Sequence, residues 1–268
     1  MRRLRAELAR LSERQANGAL RFGTDGALHL RDGAIIAADA PGVPDLETLL
    51  TASGRLSASA WKRTREKGLD GVGPGASTPS RLSRAELEMY ALIALFDAAH
   101  HLAGSAADPT FVKRREAHWL GTLTPVPAGT LLHELRTRRT RLTAAWPSDL
   151  ADDAPLVPVR RLNRQRVILT GLQAELLLNA DDQMTPAELA RKLGRTRFGC
   201  TLAVRGLIAS ALAKAPDAPE GVRVPRRRTG GAPRRTIRTA APAEPPRKWA
   251  QVDTALLATL QEALRELE

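Results

Sequence analysis

The sequence predicts an α+β fold: an N-terminal antiparallel β-meander with a helical insert, then a small winged helix-turn-helix domain and a C-terminal helix. Three observations carry this. Short alternating apolar runs between Asp-Gly turns fill residues 18–42, a capped and glycine-stopped helix pair begins at Thr185, and a leucine stripe closes the chain.

Leu4, Leu8 and Leu11 recur at helical spacing among charged residues, so Arg2 to Arg14 reads as an amphipathic helix that ends near Gly18. In GALRFGTDGALHLRDGAIIAADAPG, Leu20 and Phe22 share a face, Leu28 and Leu30 repeat the pattern, and Ile35 with Ala37 begins a third run. Asp25-Gly26 and Asp32-Gly33 supply the positive φ that tight hairpin turns require. After Pro44 the pattern becomes helical: DLETLLTASG stops at Gly54, and SASAWKRTREKG opens on a capping Ser57 and stops at Gly68. DGVGPGASTP is a loop. It lacks the Gly-Lys-Ser/Thr of a phosphate-binding loop, and no apolar strand precedes it.

Ser83 and Glu86 form a capping box ahead of a Leu-, Ile- and Phe-rich run, the best candidate for a central buried helix. PTFVKRREAHWLGTLTPVP suits a hairpin, and AGTLLHELRTRRTRLTAAW a helix with a basic face that ends before Pro147. SDLADDAPLVP has the composition of a linker, which sets the domains at residues 1–147 and 160–225.

In the second domain a short apolar strand or turn leads to a helix from about Leu172 to Asn179. Thr185 caps the next helix, Pro186 takes its first position, Glu188 completes a capping box and Gly194 ends it. A third helix starts after Arg195 or Thr196 and runs to about Ala213. ALAKAPDAPEGVRVPRR then suits the hairpin wing. Residues 226–248 are too rich in Arg, Pro and Gly to order themselves, and residues 249–268 form an acidic amphipathic helix.

The chain carries a formal net charge of +12, densest between Pro216 and Lys248 and reversed in the last helix, which favours a polyanionic partner. A single cysteine excludes a disulfide framework and a multi-Cys zinc site. The charged N-terminus and the absence of a long apolar run argue against secretion or membrane insertion, so a cytoplasmic protein is expected.

Groove binding needs polar side chains on the outer stripe of the third helix. Arg197, Thr201 and Arg205 stand at i, i+4 and i+8 on one face. Arg195 and Thr196 lie at the helix entrance, and Arg191 and Lys192 end the preceding helix, where phosphates would pass. Arg226, Arg227 and Arg228 add further charge for a duplex. Against this, Val204, Leu207 and Ile208 spread apolar surface widely around the helix, which suits a buried or partner-covered helix. Leu257, Leu260, Leu264 and Leu267 offer a stripe for a protein partner or a homodimer.

No cofactor and no metal is expected. Of the five His, His100 and His101 are adjacent on a helix and cannot face the same way, His118 reads as a packing or hairpin residue, and His29 as a strand residue. No Ser, His and Asp set has a nucleophile-elbow context, and Cys200 lies in an apolar helix, so an enzyme is not expected.

The hairpin string with HWLG downstream is similar to bacterial PATAN-type domains, the PatA N-terminal kind found in regulators. The segment to about Trp146 looks like the form common in high-GC actinobacteria, where a winged helix follows. The resemblance implies a signal-receiving or protein-interaction module without catalytic activity, and a link to Ras-like GTPase and roadblock systems. Ala37 stands where His often precedes Ala, so no chemistry carries over. Two functions follow: a transcription regulator that binds double-stranded DNA through the winged helix, or a non-enzymatic adaptor whose winged helix and last helix bind protein. A third is a DNA-associated structural protein that binds through the Arg-rich tract without sequence preference.

Overall fold

Leu4, Leu8 and Leu11 face inward as their spacing requires, on helix α1, Arg2–Glu13. The structure is a computed structural model that describes residues 2–67, 82–113, 118, 120, 123–161 and 166–216. The expected meander follows as β1 (Gly18–Arg21), β2 (Ala27–Arg31) and β3 (Ala34–Asp39). At the β2–β3 turn Asp32 and Gly33 both have positive φ, 49° and 74°, the twist a two-residue hairpin needs. One residue more than an even register is fitted into β3. His29 pairs with Ala37 but Leu30 pairs with Ile35, so Ile36 is the extra residue of a bulge.

Helices α2 (Leu46–Thr51) and α3 (Ala58–Lys67) form the insert, the first capped by Asp45. Helix α4 (Arg84–Leu102) opens on the Ser83–Glu86 capping box and buries Leu87, Leu95 and Leu102. The segment expected as a local hairpin is used differently. Its first part is β4 (Thr110–Lys113), which pairs antiparallel with β1 and gives the sheet order β3-β2-β1-β4, while Val126 bridges to Ile35. The free edges of the meander supply nearer partners than the segment's own two ends.

Strand alternation divides the sheet into two faces. Leu20, Leu28, Leu30 and Ile35 join a core with α1, the end of α4 and α5 (Ala128–Ala145). Ala37 joins a second core with α2, α3 and the start of α4.

A third core belongs to the helix-turn-helix: α6 (Gly171–Asn179), α7 (Pro186–Leu193) and α8 (Arg197–Ala209) bury Leu176, Leu189, Ala190, Cys200, Val204 and Leu207 together. After α8 the chain pairs upstream, with Val159 N–H donating to Leu212 O and Lys214 N–H to Val157 O, both at 2.9 Å. Of the turn of the expected wing, PDAPEG, only Pro216 is within the described residues, and the rest of the expected hairpin lies outside them. The stretch read as a linker is packed. Asp149–Asp152 is a 3-10 turn, Ala151 and Leu156 are buried, and the described residues belong to one compact unit, Met1–Gly221. Among the described residues no helix is long and apolar enough to cross a membrane.

Gly194 ties these layers together. It ends α7 at φ 61°, and a Cβ there would stand 2.4 Å from Ser53 N and 2.8 Å from Ala52 C. Replacing Gly194 by Ala combines left-handed strain with a backbone clash. It is expected to lower stability by about 2–4 kcal/mol, read as a lower urea midpoint with an unchanged slope.

Candidate functional site: an inward-facing third helix

The helix pair is built as its capping residues dictate. Thr185 Oγ1 accepts from Glu188 N–H at 3.3 Å, and the Glu188 carboxylate accepts from Thr185 N–H at 2.8 Å. Thr196 caps α8 by accepting from Gly199 N–H at 3.1 Å. Ala190, fully buried, lets α7 and α8 approach closely.

Arg197, Thr201 and Arg205 do share one face of α8, and that face is turned toward α4, α5 and the 3-10 turn. Asp97 of α4, only 1% exposed, accepts from the backbone N–H of Arg197 at 2.6 Å and of Phe198 at 2.8 Å. These N–H groups belong to the first turn of α8, which has no intrahelical acceptor for them, and the helix dipole favours an anion there. Arg205, 4% exposed, grips both oxygens of Asp152 through Nε and Nη2, each at 2.7 Å, and donates from Nη1 to Trp146 O at 2.7 Å. Arg197 reaches Asp153 Oδ1 at 2.7 Å, and Thr201 is buried.

Arg138 of α5 completes the contact. Its guanidinium lies 4.7 Å from the Phe198 ring centre and 5.7 Å from that of Phe96, with Glu134 at 2.8 Å and Asp97 at 3.9 Å. Burial pushes the Asp97 carboxyl up, and the two N–H donors and Arg138 pull it back down. His100, edge-on to Phe198, is pushed down to about 4 by burial first and by Arg138 second, so it is neutral at pH 7. Burial raises the Cys200 thiol to about 12, which leaves it inert as a nucleophile.

The arginine stripe expected to meet a duplex thus meets carboxylates of its own chain. The physical reason is that Asp97, Asp152 and Asp153 present the same anionic oxygens as phosphates and are already in place. Elsewhere, Arg191 and Lys192 are exposed at the end of α7, Arg195 pairs with Glu175 at 3.0 Å, and the Thr196 hydroxyl is occupied by its cap. Arg226, Arg227, Arg228 and Leu257, Leu260, Leu264, Leu267 lie outside the described residues. Sequence reasoning missed Asp97 and the acid run Asp149, Asp152, Asp153. The available signals were a lone carboxylate inside an apolar run and an acidic linker opposite in sign to the arginines of the stripe.

A second feature also escaped it. An open cavity of about 960 Å³ lies over the sheet face that carries Ala19, His29, Ala37 and Asp39, and Arg65 and Arg191 also line it. His29 Nε2 is 2.6 Å and His118 Nε2 3.8 Å from Asp39 Oδ2, and the two rings lie 4.6 Å apart. The hydrogen bond from His29 is the main cause that holds Asp39 below the usual carboxylate range. His118 Nδ1 accepts from Leu120 N–H at 3.3 Å. No metal group was expected from His spacing, yet these three residues bring ligand atoms within 4.8 Å of one another. Cross-strand register makes the His29–Asp39 pair, and spacing along the chain does not reveal it.

No protein-family model, no curated protein and no solved structure matches this chain.

Replacing Arg205 by Ala is expected to cost about 2–4 kcal/mol, below the figure for a fully buried pair because Asp152 keeps access to water. The Arg197 to Ala change is expected to stay within about 1 kcal/mol, since Asp153 is well exposed. Chemical denaturation of both variants checks this order.

His100 also sets a pH dependence. Its folded value near 4 lies below the unfolded value near 6.5, so its contribution is complete above pH 6.5. As pH falls from 6.5 toward 4 the unfolded chain takes up the proton and the folded chain does not, and roughly 3 kcal/mol is lost. Asp97, raised by burial, works in the opposite sense. The wild type minus His100→Gln difference in stability, measured from pH 7.5 to 4.5, is expected to shrink by about 2.5 kcal/mol on acidification.

Proposed function

We propose that this protein is a non-enzymatic regulatory adaptor. Its helix-turn-helix serves as a docking module on its own α+β layer, and its recognition is directed at protein. The observation that carries this reading is the occupied polar face of α8: Arg205 is buried on Asp152, and the first turn of α8 is capped by Asp97. Groove readout needs those groups wet, and displacing two carboxylates that are already in register costs more than meeting a free phosphate. Ile168 and Leu178, 84% and 85% exposed on the outer side of the helix-turn-helix, fit apolar contact with a protein partner. The inert Cys200 is consistent with the absence of nucleophilic chemistry. The PATAN-type resemblance supports a signal-receiving N-terminal layer, with a Ras-like GTPase or roadblock-type protein as the first partner to test.

The second reading is the DNA-binding regulator. Exposed Arg191 and Lys192 at the end of α7 favour it, because they remain placed for phosphates when the α8 face is covered.

One experiment separates the two. The full chain is titrated with a pool of genomic duplex fragments at low and physiological salt, beside folded Arg197→Ala and Arg205→Lys variants. Binding without site preference, steeply weakened by salt and unchanged in both variants, is expected. Site-preferring binding at physiological salt that the variants abolish would overturn the adaptor reading. So would failure to recover any stable protein partner with the full chain from its native lysate.

A further inference from the structure

We propose that His29, Asp39 and His118 form a binding site for a divalent transition metal ion of the zinc class. The site uses no residue of α8 and stands or falls separately from the adaptor reading.

The donor atoms converge because of the sheet. His29 on β2 lies opposite Ala37, and Asp39 is two residues further along β3, so both side chains leave the same face. His118 approaches from a segment far along the chain and stacks at a tilt of 42° on His29. With zinc bond lengths near 2.0–2.1 Å, tetrahedral neighbours stand about 3.3 Å apart. The His29–Asp39 separation of 2.6 Å must open by about 0.7 Å and the His118–Asp39 separation of 3.8 Å must close by about 0.5 Å, from ligand atoms that all start within 4.8 Å of one another. Both changes are small rotations of side chains. They leave the strands in place.

The chemistry of the set selects the ion. Two imidazoles and one carboxylate suit Zn²⁺ and its first-row neighbours, whereas Mg²⁺ and Ca²⁺ prefer six or more oxygens. Three protein ligands leave one position open, and here it faces the cavity, where water or an anion can complete the tetrahedron. Arg65 and Arg191 line that cavity and favour an anionic fourth ligand, while Asp45 and Glu47 on its rim offset part of their charge. Ligation through Nε2 places the ring proton of His118 on Nδ1. The long 3.3 Å hydrogen bond from Leu120 N–H is therefore given up on metal capture.

The test uses the full chain stripped with a chelator and titrated with Zn²⁺ against a chromophoric competitor. Saturable binding of a single equivalent is expected, not displaced by millimolar Mg²⁺. His29→Ala and His118→Ala should each weaken it by at least about tenfold. Asp39→Asn alters a largely exposed side chain, keeps the test open if a His variant fails to fold, and should weaken binding likewise. His133→Ala, on the exposed side of α5, should not. With Co²⁺ the intense visible bands of a four-coordinate ion should appear in the wild type and vanish in His118→Ala. Absence of saturable binding, or binding indifferent to all three ligand variants, overturns the proposal.

Discussion

A single carboxylate, Asp97, sets the relation between the sheet layer and the helix-turn-helix. It sits on α4, almost without solvent, and accepts two N–H groups from the first turn of α8. An unmet charge in that position would be ruinous, and an uncapped helix start beside it nearly as poor. Each defect removes the other. Arg138, held between Phe96 and Phe198, then stands close enough to share the negative charge, and α8 has little freedom left to rotate.

From that anchor the polar face of α8 follows. Once the helix start is fixed on Asp97, Arg205 two turns on is carried to Asp152 and to the carbonyl of Trp146. A planar guanidinium on a carboxylate is the geometry with which arginine also holds a phosphate. The helix-turn-helix is thus well made as a fold, and the arginine face of α8 is engaged within the chain. Fold and use are separate questions in physical terms, because one set of side chains cannot satisfy two anions at once.

Much of the fold was legible. Leucine spacing located α1, the Asp-Gly turns located the meander, and the capping residues around Ser83 and Thr185 located α4 and α7 within a residue or two, because each is a local interaction written in adjacent positions. What stayed hidden was non-local. A polar helical stripe looks the same whether it faces phosphate or aspartate, and Asp97 is separated from its α8 partners by about a hundred residues. An acidic stretch rich in Pro and Ala reads as a linker until its acids are matched to arginines elsewhere. The His29–Asp39 pair needs strand register, and His118 needs the tertiary fold. The pairing of β4 with β1 depends on which sheet edge is free.

The bulge in β3 has a bearing on how this chain can vary over evolutionary time. The Asp32-Gly33 turn fixes Arg31 opposite Ala34 at one end, and His29 opposite Ala37 holds further along, with Ile36 absorbing the difference. Because β3 already holds one residue more than its partner, losing one residue between the turn and Asp39 closes the bulge and keeps Asp39 opposite Ala27, on the face of His29. Gaining one residue is different: without a second bulge it turns Asp39 onto the leucine face. Related chains that keep the turn and the carboxylate should therefore shorten this stretch by one residue more readily than they lengthen it.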